Sequence, residues 1–449
     1  MRHAANRLGL VFFPAFDWAI SPDHPEREER LLYTRDQIVE EGLLDLPGLV
    51  EYRPAVAAPR DVLRAHICIP TVQSVCSESH LVAAGGTITA ADKVLTGEVD
   101  RAFALLRPPG HHAMRFVHGS RGFCAINNEA IMIEHLRHVY GSGLKIAVVD
   151  SDAHHADGSQ DIYYNDPDVL HICLHQDGRT LYPGTGVATE LGGPGAYALT
   201  LNVPLPPESG DSELLYVVEH LVLPVLADFR PDVVINAAGQ DNHYTDPLTN
   251  MKVTAQGYAR LTEMLQPGIV VLEGGYSIEG ALPYVNVGII LALAGLDYTA
   301  VREPEARPDA SPAAVQEAVR RTVGFLQETW SRRREIDPDA IFGSGPFFKR
   351  RRRIYYDTDE IMEEQREEIR RCDQCSGYRL VRSAAASSYR PFRRAAAVLL
   401  PWHACKRCRE EALAAFERLQ PDRELEYVYL QDVAEDRYLT KSAVKDGWR

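Results

Sequence analysis

The 449-residue sequence has no apolar stretch long enough to cross a bilayer as a helix, which would take about 20 residues. A short apolar segment, Leu8–Phe13, follows basic residues as in a signal peptide, but Pro14 and the lack of a small-residue cleavage site argue against that interpretation. We interpret the segment as a buried first strand, and we expect no membrane association.

Basic residues are in deficit, since 48 Lys and Arg against 63 Asp and Glu give a formal net charge of -15. Such a chain has no general attraction to nucleic acid or to an anionic membrane, so nucleic acid is disfavoured as a partner, whereas cationic substrates such as acyl-lysine tails or polyamines are tolerated. The composition, 45% apolar and 25% charged, is that of a globular protein. The length predicts one large and one small domain, which we place at residues 1–345 and 346–449.

Cysteine is scarce, with eight residues in two groups. Four are scattered and are predicted to be core residues: Cys68, Cys76, Cys124 and Cys173. The other four form two Cys-x2-Cys pairs, Cys372 with Cys375 and Cys405 with Cys408. In a chain without a secretion signal this spacing indicates a metal site rather than disulfides, and it favours the reducing cytoplasm as the location.

Short β-branched runs alternate with helical patterns from Leu8 to about Leu326. Four runs are almost wholly apolar, as is typical of parallel strands buried on both faces: residues 146–149, 170–173, 233–235 and 269–272. Helical patterns such as Asp211 to Phe229 lie between the runs. The sequence therefore predicts an α/β domain with a central, mainly parallel sheet flanked by helices. Active-site residues should then follow the carboxyl ends of the strands.

The chain beyond this domain is predicted to begin with a linker. A basic run, Lys349 to Arg353, lies near Pro and Gly residues, and we interpret it as a solvated boundary segment rather than a nucleic-acid patch. The segment from Asp359 to Arg371 is predicted to be helical, and the two cysteine pairs follow it.

The densest polar motif is DSDAHHADG at residues 150–158. Asp152 and His154 are two residues apart on an extended segment, so they point to the same side and can bind one metal ion. Zinc accepts both ligand types, and a catalytic zinc keeps one position open. A third ligand should come from another strand end, where Asp241 is well placed. Taken alone, such a cluster is equally typical of a structural hydrogen-bond network.

Three further motifs accompany it, RPPGHHA at residues 107–113, GFCAINN at 122–128 and EGGY at 273–276. Together with residues 150–158 and 241–248 they resemble the histone deacetylase family, and the PPGHHA form is similar to its class II branch. The resemblance covers about residues 8–326. It implies the three-layer arginase/deacetylase fold and a lysine deacetylase that hydrolyses an acyl-lysine amide through a metal-activated water.

The resemblance also implies a role for each matching residue. The ligands of a catalytic zinc would be Asp152, His154 and Asp241. His112 would be the general base that activates the water and then protonates the leaving amine, and His111 would act beside it electrostatically. A histidine held by a carboxylate is the usual base near neutral pH.

The remaining matches orient the histidines or bind the substrate. Asp150 and Asp157 would orient the two histidines, and the hydroxyl of Tyr276 would bind the scissile carbonyl opposite the zinc. The substrate tunnel would be formed by Gly122, Phe123, Tyr182 and Leu248.

Substrate class within the family depends largely on the tunnel rim. Polyamine-specific members tend to carry a glutamate at the position of Leu248, so leucine favours a protein or peptide acyl-lysine. Three alternatives stay open: a small-molecule amidohydrolase acting on acetylpolyamines or a related amine, a catalytically idle acyl-lysine reader, and an arginase-like two-manganese hydrolase, which would need a second set of ligands.

One departure from the family concerns potassium. Cys173 stands where the family usually has a serine that helps to hold a structural K+ beside the zinc. A thiol is a poor ligand for a hard cation, so the resemblance leaves the occupancy of a potassium site open.

The two Cys-x2-Cys pairs supply four thiolates, which form a closed tetrahedral set for a structural zinc. Residues 378–381 and 397–400 can form a hairpin between the pairs, and Glu410 to Leu419 reads as a helix. This order resembles a treble-clef finger in a small α+β module, with His403 as the rival ligand. We expect the module to serve packing, dimerisation or partner docking; a homo-oligomer is left open.

Overall fold

The structure is a computed structural model that describes residues 4–15, 18–304, 311–388 and 392–442. The strands are β1 (Leu8–Phe13), β2 (Leu49–Tyr52), β3 (Ile67–Cys68), β4 (Arg101–Leu106), β5 (Phe116–Val117), β6 (Ile146–Asp150), β7 (Val169–Gln176), β8 (Thr200–Leu205), β9 (Val233–Ala238), β10 (Ile269–Leu272), β11 (Phe347–Tyr356), β12 (Ile361–Arg370), β13 (Arg379–Ala386), β14 (Arg393–Leu400), β15 (Tyr427–Asp432) and β16 (Arg437–Ser442). The helices are α1 (Glu29–Glu40), α2 (Pro59–Ala65), α3 (Glu78–Leu95), α4 (Asn128–Tyr140), α5 (Asp157–Tyr163), α6 (Asp211–Val217), α7 (Leu223–Phe229), α8 (Ala255–Leu265), α9 (Leu282–Ala294), α10 (Ala313–Arg332), α11 (Pro338–Phe342) and α12 (Lys406–Leu419). None of the described helices is both long and apolar enough to cross a membrane.

Eight parallel strands form the central sheet, in the order β2-β1-β4-β10-β9-β6-β7-β8. Side chains alternate between the two faces of a strand, so Ala147 and Val149 of β6 join the hydrophobic cluster on one face, and Ile146 and Val148 join the cluster on the other. Helices α8 to α10 contribute to the first cluster, and α3 and α4 to the second. The predicted parallel α/β fold is confirmed, and its four predicted apolar runs lie in β6, β7, β9 and β10.

A second, six-stranded sheet follows, in the order β11-β12-β13-β14-β15-β16. All its pairings are antiparallel except β14 with β15, which α12 connects. Odd-numbered residues 395–399 of β14 pack against Ile67, Ile69 and Phe116, whereas even-numbered residues 396–400 pack against α12. One face of this sheet is therefore buried against the α/β domain, and the other face forms a small core of its own with α12.

Two sequence predictions in this region were wrong. Asp359 to Arg371 is not a helix but contains β12, and the basic run Lys349 to Arg353 is not a linker but lies within β11. The Glu, Gln and Arg residues of β12 have high helix propensity, yet alternate positions of the strand are buried, including Glu363 and Glu367. Contacts distant in sequence override the local propensity here.

The buried charges of β12 belong to a network that joins the two sheets. Asp161 of α5 forms ion pairs with Arg350 at 3.3 Å, with Arg352 at 2.6 Å and with Arg379 at 3.4 Å. Glu367 pairs with Arg350 and Arg379. Burial raises the pKa of Asp161, but the three arginines outweigh it and hold that pKa below its ordinary value. The network is therefore ionised and ties the C-terminal sheet to α5.

We expect Asp161→Asn to lower the free energy of unfolding by about 3 kcal/mol, because removing one partner of a buried ion pair leaves its arginines uncompensated. Thermal and denaturant unfolding midpoints measure the effect. Glu317→Gln is the matched control, since Glu317 pairs with Arg321 at an exposed position and its loss should change stability by less than about 0.5 kcal/mol. Equal midpoints for Asp161→Asn and the parent would contradict the prediction.

Candidate active site

The predicted catalytic and metal-binding residues lie at the carboxyl ends of four neighbouring strands, at one edge of the sheet. In the order β4, β10, β9 and β6, their carboxyl ends are followed by the His111–His112 pair, Tyr276, Asp241, and the segment from Asp150 to His154. Because all four strands are parallel, these ends meet at one place, and residues distant in sequence become neighbours.

Asp152, His154 and Asp241 form one potential metal-binding group, with ligand atoms that all lie within 4.8 Å of one another. His154 Nδ1 lies 3.1 Å from Asp152 Oδ1 and 2.9 Å from Asp241 Oδ2. Both carboxylates are completely buried. Two buried carboxylates converging on one imidazole suit a divalent cation with oxygen and nitrogen ligands, and three protein ligands leave a zinc coordination position open.

Backbone donors fix the two carboxylates. Gly274 N–H donates to Asp152 Oδ2 at 2.7 Å, and Ala153 N–H donates to Asp241 Oδ1 at 2.7 Å. Gly274 has to be glycine, because a Cβ at this position would lie 2.3 Å from Asp241 Oδ2. The EGGY motif thus provides close backbone approach to the metal group.

Each histidine of the PPGHHA motif is held by its own carboxylate. His111 Nδ1 lies 3.1 Å from Asp150 Oδ2, and His112 Nδ1 lies 2.8 Å from Asp157 Oδ1. Both pairings match the sequence predictions geometrically. Since Nδ1 of each ring is hydrogen-bonded to its carboxylate, Nε2 is the nitrogen that can interact with a substrate or a water molecule.

The electrostatic surroundings of the two histidines differ. Burial lowers the pKa of His111, but the charges of Asp152 and Asp150 outweigh it and raise that pKa to about 10. Burial and the adjacent charge of His111 lower the pKa of His112 to about 3, despite its bond to Asp157. His112 is therefore the neutral member of the pair and has a free lone pair for a proton.

A cavity of about 260 Å³ opens above the metal group. All four predicted tunnel residues line it: Gly122, Phe123, Tyr182 and Leu248. His111, His112, Asp152, His154 and Tyr276 line it as well. Tyr276 is almost fully buried, and burial raises the pKa of its hydroxyl well above the ordinary value. That hydroxyl is therefore a hydrogen-bond donor at neutral pH.

The wall segment at Gly122 and Phe123 has an unusual backbone, with φ of +51° and +68°. A Cβ at Gly122 would lie 2.3 Å from His112 Cδ2. Glycine is therefore required both for the left-handed conformation and for the close approach to His112. Phe123 packs edge-on against Tyr276, with ring centroids 5.5 Å apart.

Sequence reasoning missed three residues that position this machinery. Arg121 donates to Asp157 Oδ2 at 2.6 Å. Arg30 is fully buried, donates to the carbonyls of Glu273 and Gly275, and lies over the Tyr276 ring with 4.8 Å to its centroid. A third, Asp357, comes from the turn after β11 and also lines the cavity. Nothing local in the sequence marks their contacts, although Arg121 directly precedes the GFCAINN motif.

The cysteines of the C-terminal unit also cluster as predicted. The four thiols of Cys372, Cys375, Cys405 and Cys408 lie within 4.8 Å of one another. The predicted hairpin is β13 with β14, and α12 begins directly after Cys405, earlier than expected. His403, the rival ligand, instead lies 3.1 Å from the carbonyl of Ser142.

The scattered cysteines are mostly core residues. Cys68, Cys124 and Cys173 are buried, whereas Cys76 is partly exposed. The thiol of Cys173 accepts a hydrogen bond from Ala156 N–H at 3.4 Å, and burial raises its pKa well above the ordinary value. It is thus a neutral thiol packed beside the segment that follows β6.

Comparisons with known proteins identify chains that are similar to this one. A family model described as Histone deacetylase domain matches residues 68–286. A probable deacetylase of Archaeoglobus fulgidus is 44% identical over 326 residues, covering 66% of this chain and 89% of that relative. The histone deacetylase-like amidohydrolase of Pseudomonas aeruginosa is 38% identical over 340 residues, covering 67% and 85%. Among solved structures, the crystal structure of the HDA15 HD domain matches with a TM-score of 0.64 at 28% identity, covering 73% of this chain and 96% of that one.

Proposed function

This chain belongs to the histone deacetylase family, and from that premise we propose that it is a zinc-dependent amidohydrolase that removes acyl groups from lysine side chains in proteins or peptides. The observation that carries the proposal is the Asp152–His154–Asp241 group beside a cavity of about 260 Å³, which is lined by Asp152 and His154 together with His112 and Tyr276. An acyl-lysine is an apolar chain ending in an amide, and it suits a cavity whose walls include Phe123, Tyr182 and Leu248 and whose polar groups include His112 and Tyr276.

The donor set fits zinc, and a zinc ion held by Asp152, His154 and Asp241 would supply Lewis-acid activation of a carbonyl and of a water molecule at neutral pH. His112, neutral and oriented by Asp157, takes the proton of the attacking water at Nε2 and later donates it to the leaving amine. Tyr276 donates its hydroxyl hydrogen to the carbonyl oxygen as negative charge develops there.

His111 and Asp150 have a supporting role in this mechanism. His111, held by Asp150, lies beside His112 and helps to stabilise the negative charge that develops in the transition state. The aromatic walls, Phe123 and Tyr182, exclude water from the acyl chain and hold the amide near the metal group. This arrangement uses every catalytic residue that the resemblance implied.

The direct test is turnover of an acetyl-lysine peptide by the purified, zinc-loaded protein. The release of the free lysine ε-amine measures this turnover. We expect turnover and inhibition by a hydroxamate, which chelates zinc. Tight binding of the acetylated peptide without any turnover would favour an acyl-lysine reader and contradict the proposal.

We further propose that the four C-terminal cysteines hold a structural zinc. Four thiolates at mutual distances within 4.8 Å form a closed tetrahedral set with no open position. Cys372 and Cys375 lie between β12 and β13, while Cys405 and Cys408 lie at the start of α12. A metal ion would therefore join the helix to the sheet that it covers, as in the treble-clef arrangement.

We expect the double variant Cys372→Ser/Cys405→Ser to carry one zinc per chain, where the parent carries two, because two of four ligands are insufficient for a structural site. Metal analysis of the purified proteins measures this, alongside peptide turnover. Cys76→Ser is the control, since Cys76 lies outside the cluster and should leave both ions bound. An unchanged zinc content in the double variant would contradict the proposal.

A further inference from the structure

The C-terminal sheet reaches into the active-site cavity. Of the described residues that line this cavity, Asp357 alone comes from the C-terminal sheet, in the turn between β11 and β12. The other lining residues lie between Pro109 and Tyr276. The family match ends at residue 286, so this carboxylate comes from a part of the chain outside the matched domain.

The turn is held firmly against the tunnel wall. Gly122 N–H donates to Asp357 Oδ1 at 2.9 Å, and Ser120 N–H donates to Asp359 Oδ2 at 2.7 Å. The guanidinium of Arg121 donates to the carbonyl of Tyr355. Three consecutive wall residues are therefore bound by the end of β11 and the turn that follows it, which fixes the carboxylate of Asp357 at the cavity.

The charge of Asp357 is not balanced by its neighbours. Arg121, which directly precedes Gly122, is paired with Asp157 at 2.6 Å. Burial lowers the pKa of the nearby His24, so that ring is neutral at neutral pH. Asp357 forms no ion pair with any cationic side chain in the part of the chain that the structure describes. Phe123 and Leu248, which line the same cavity, carry no charge.

We propose that Asp357 is a specificity-determining residue, through which the C-terminal sheet selects substrates with a positive charge beside the acylated amine. This inference rests on the proposed amidohydrolase function. The apolar Leu248 provides no charge at the cavity, and Asp357 supplies one from the C-terminal sheet. The positive group is either a basic residue that flanks an acyl-lysine or an ammonium group of an acylated polyamine.

Asp357→Asn tests the charge with little change in shape, because an asparagine oxygen still accepts the hydrogen bond from Gly122 N–H. Two substrate pairs are compared: acetyl-lysine peptides that differ only in lysine or norleucine at the adjacent position, and an N-acetyl diamine with an N-acetyl alkylamine of equal length. We expect the ratio of kcat/KM for the charged over the neutral member to fall by roughly 3- to 10-fold in at least one pair, mainly through KM. The difference in this ratio between Asp357→Asn and the parent should be smaller at 0.5 M salt, because salt screens partly exposed charges.

Asp359→Asn is the matched control, because it removes the same charge from the same turn at a residue that does not line the cavity. Its substrate ratios should stay within about twofold of the parent. A change confined to the peptide pair identifies a flanking basic residue, and one confined to the amine pair identifies a polyamine; both support the inference. Unchanged ratios in Asp357→Asn, or an equal fall in Asp359→Asn, would overturn it while leaving the amidohydrolase function intact. A parent that hydrolyses none of the four substrates would refute the function itself.

Discussion

Replacing Asp241 with alanine is expected to remove the catalytic metal and to lower kcat/KM by roughly 10³- to 10⁵-fold, because metal catalysis supplies several kcal/mol of transition-state stabilisation. Asp241 contributes one of only three ligands in the group with Asp152 and His154. Its loss also leaves Ala153 N–H without its buried acceptor. Metal content and peptide turnover should therefore fall together.

The proposed cysteine site is an internal control for this experiment. Zinc content should fall from two ions per chain to one, not to zero, since Cys372 and its partners are remote in sequence and form a separate group. Asp241→Asn separates folding from metal binding: its side-chain oxygen still accepts from Ala153 N–H, but the ligand charge is lost. An Asp241→Ala protein that keeps both ions and full turnover would show that this carboxylate is not a ligand.

The sequence predicted the parallel sheet and the residues at its carboxyl edge. The reason is physical: strands buried on both faces must be apolar throughout, so β6, β7, β9 and β10 are visible as unbroken apolar runs. The polar residues that follow such strands lie at the edge where active sites form, although a structural hydrogen-bond network explains such a cluster equally well. The position of Asp152, His154 and Asp241 at these strand ends predicted that they form one group, and the order of the motifs added the two histidines.

The C-terminal sheet could not be predicted in the same way. β12 is rich in charged residues, and its buried Glu367 depends on arginines of the two neighbouring strands, Arg350 and Arg379, which also contact the distant Asp161 of α5. A local pattern of Glu, Gln and Arg is typical of a helix, and nothing local indicates that alternate residues will be buried. The same applies to Asp357, because its position in the cavity depends entirely on how one sheet packs on the other.

His112→Ala is expected to lower kcat by roughly 10²- to 10⁴-fold while KM changes little, because a general base acts mainly on the transition state. The metal ligands are untouched, so zinc content should stay at the parent value. His112 also packs closely against Gly122, and its removal leaves room in the cavity wall. Steady-state kinetics with an acetyl-lysine peptide and metal analysis of the same sample measure both quantities.

The proton-transfer role of His112 has a signature that a structural role would not produce. Added imidazole can enter the space that the missing side chain leaves and accept the proton in its place, so it should restore part of the lost kcat in His112→Ala and have no such effect on Asp241→Ala. His220→Ala is the matched control, since His220 contacts Tyr216 and does not line the cavity. Its loss should leave kcat within about twofold of the parent. If His112→Ala keeps most of its kcat, then another group removes the proton from water, and the neutral state of His112 has no part in catalysis.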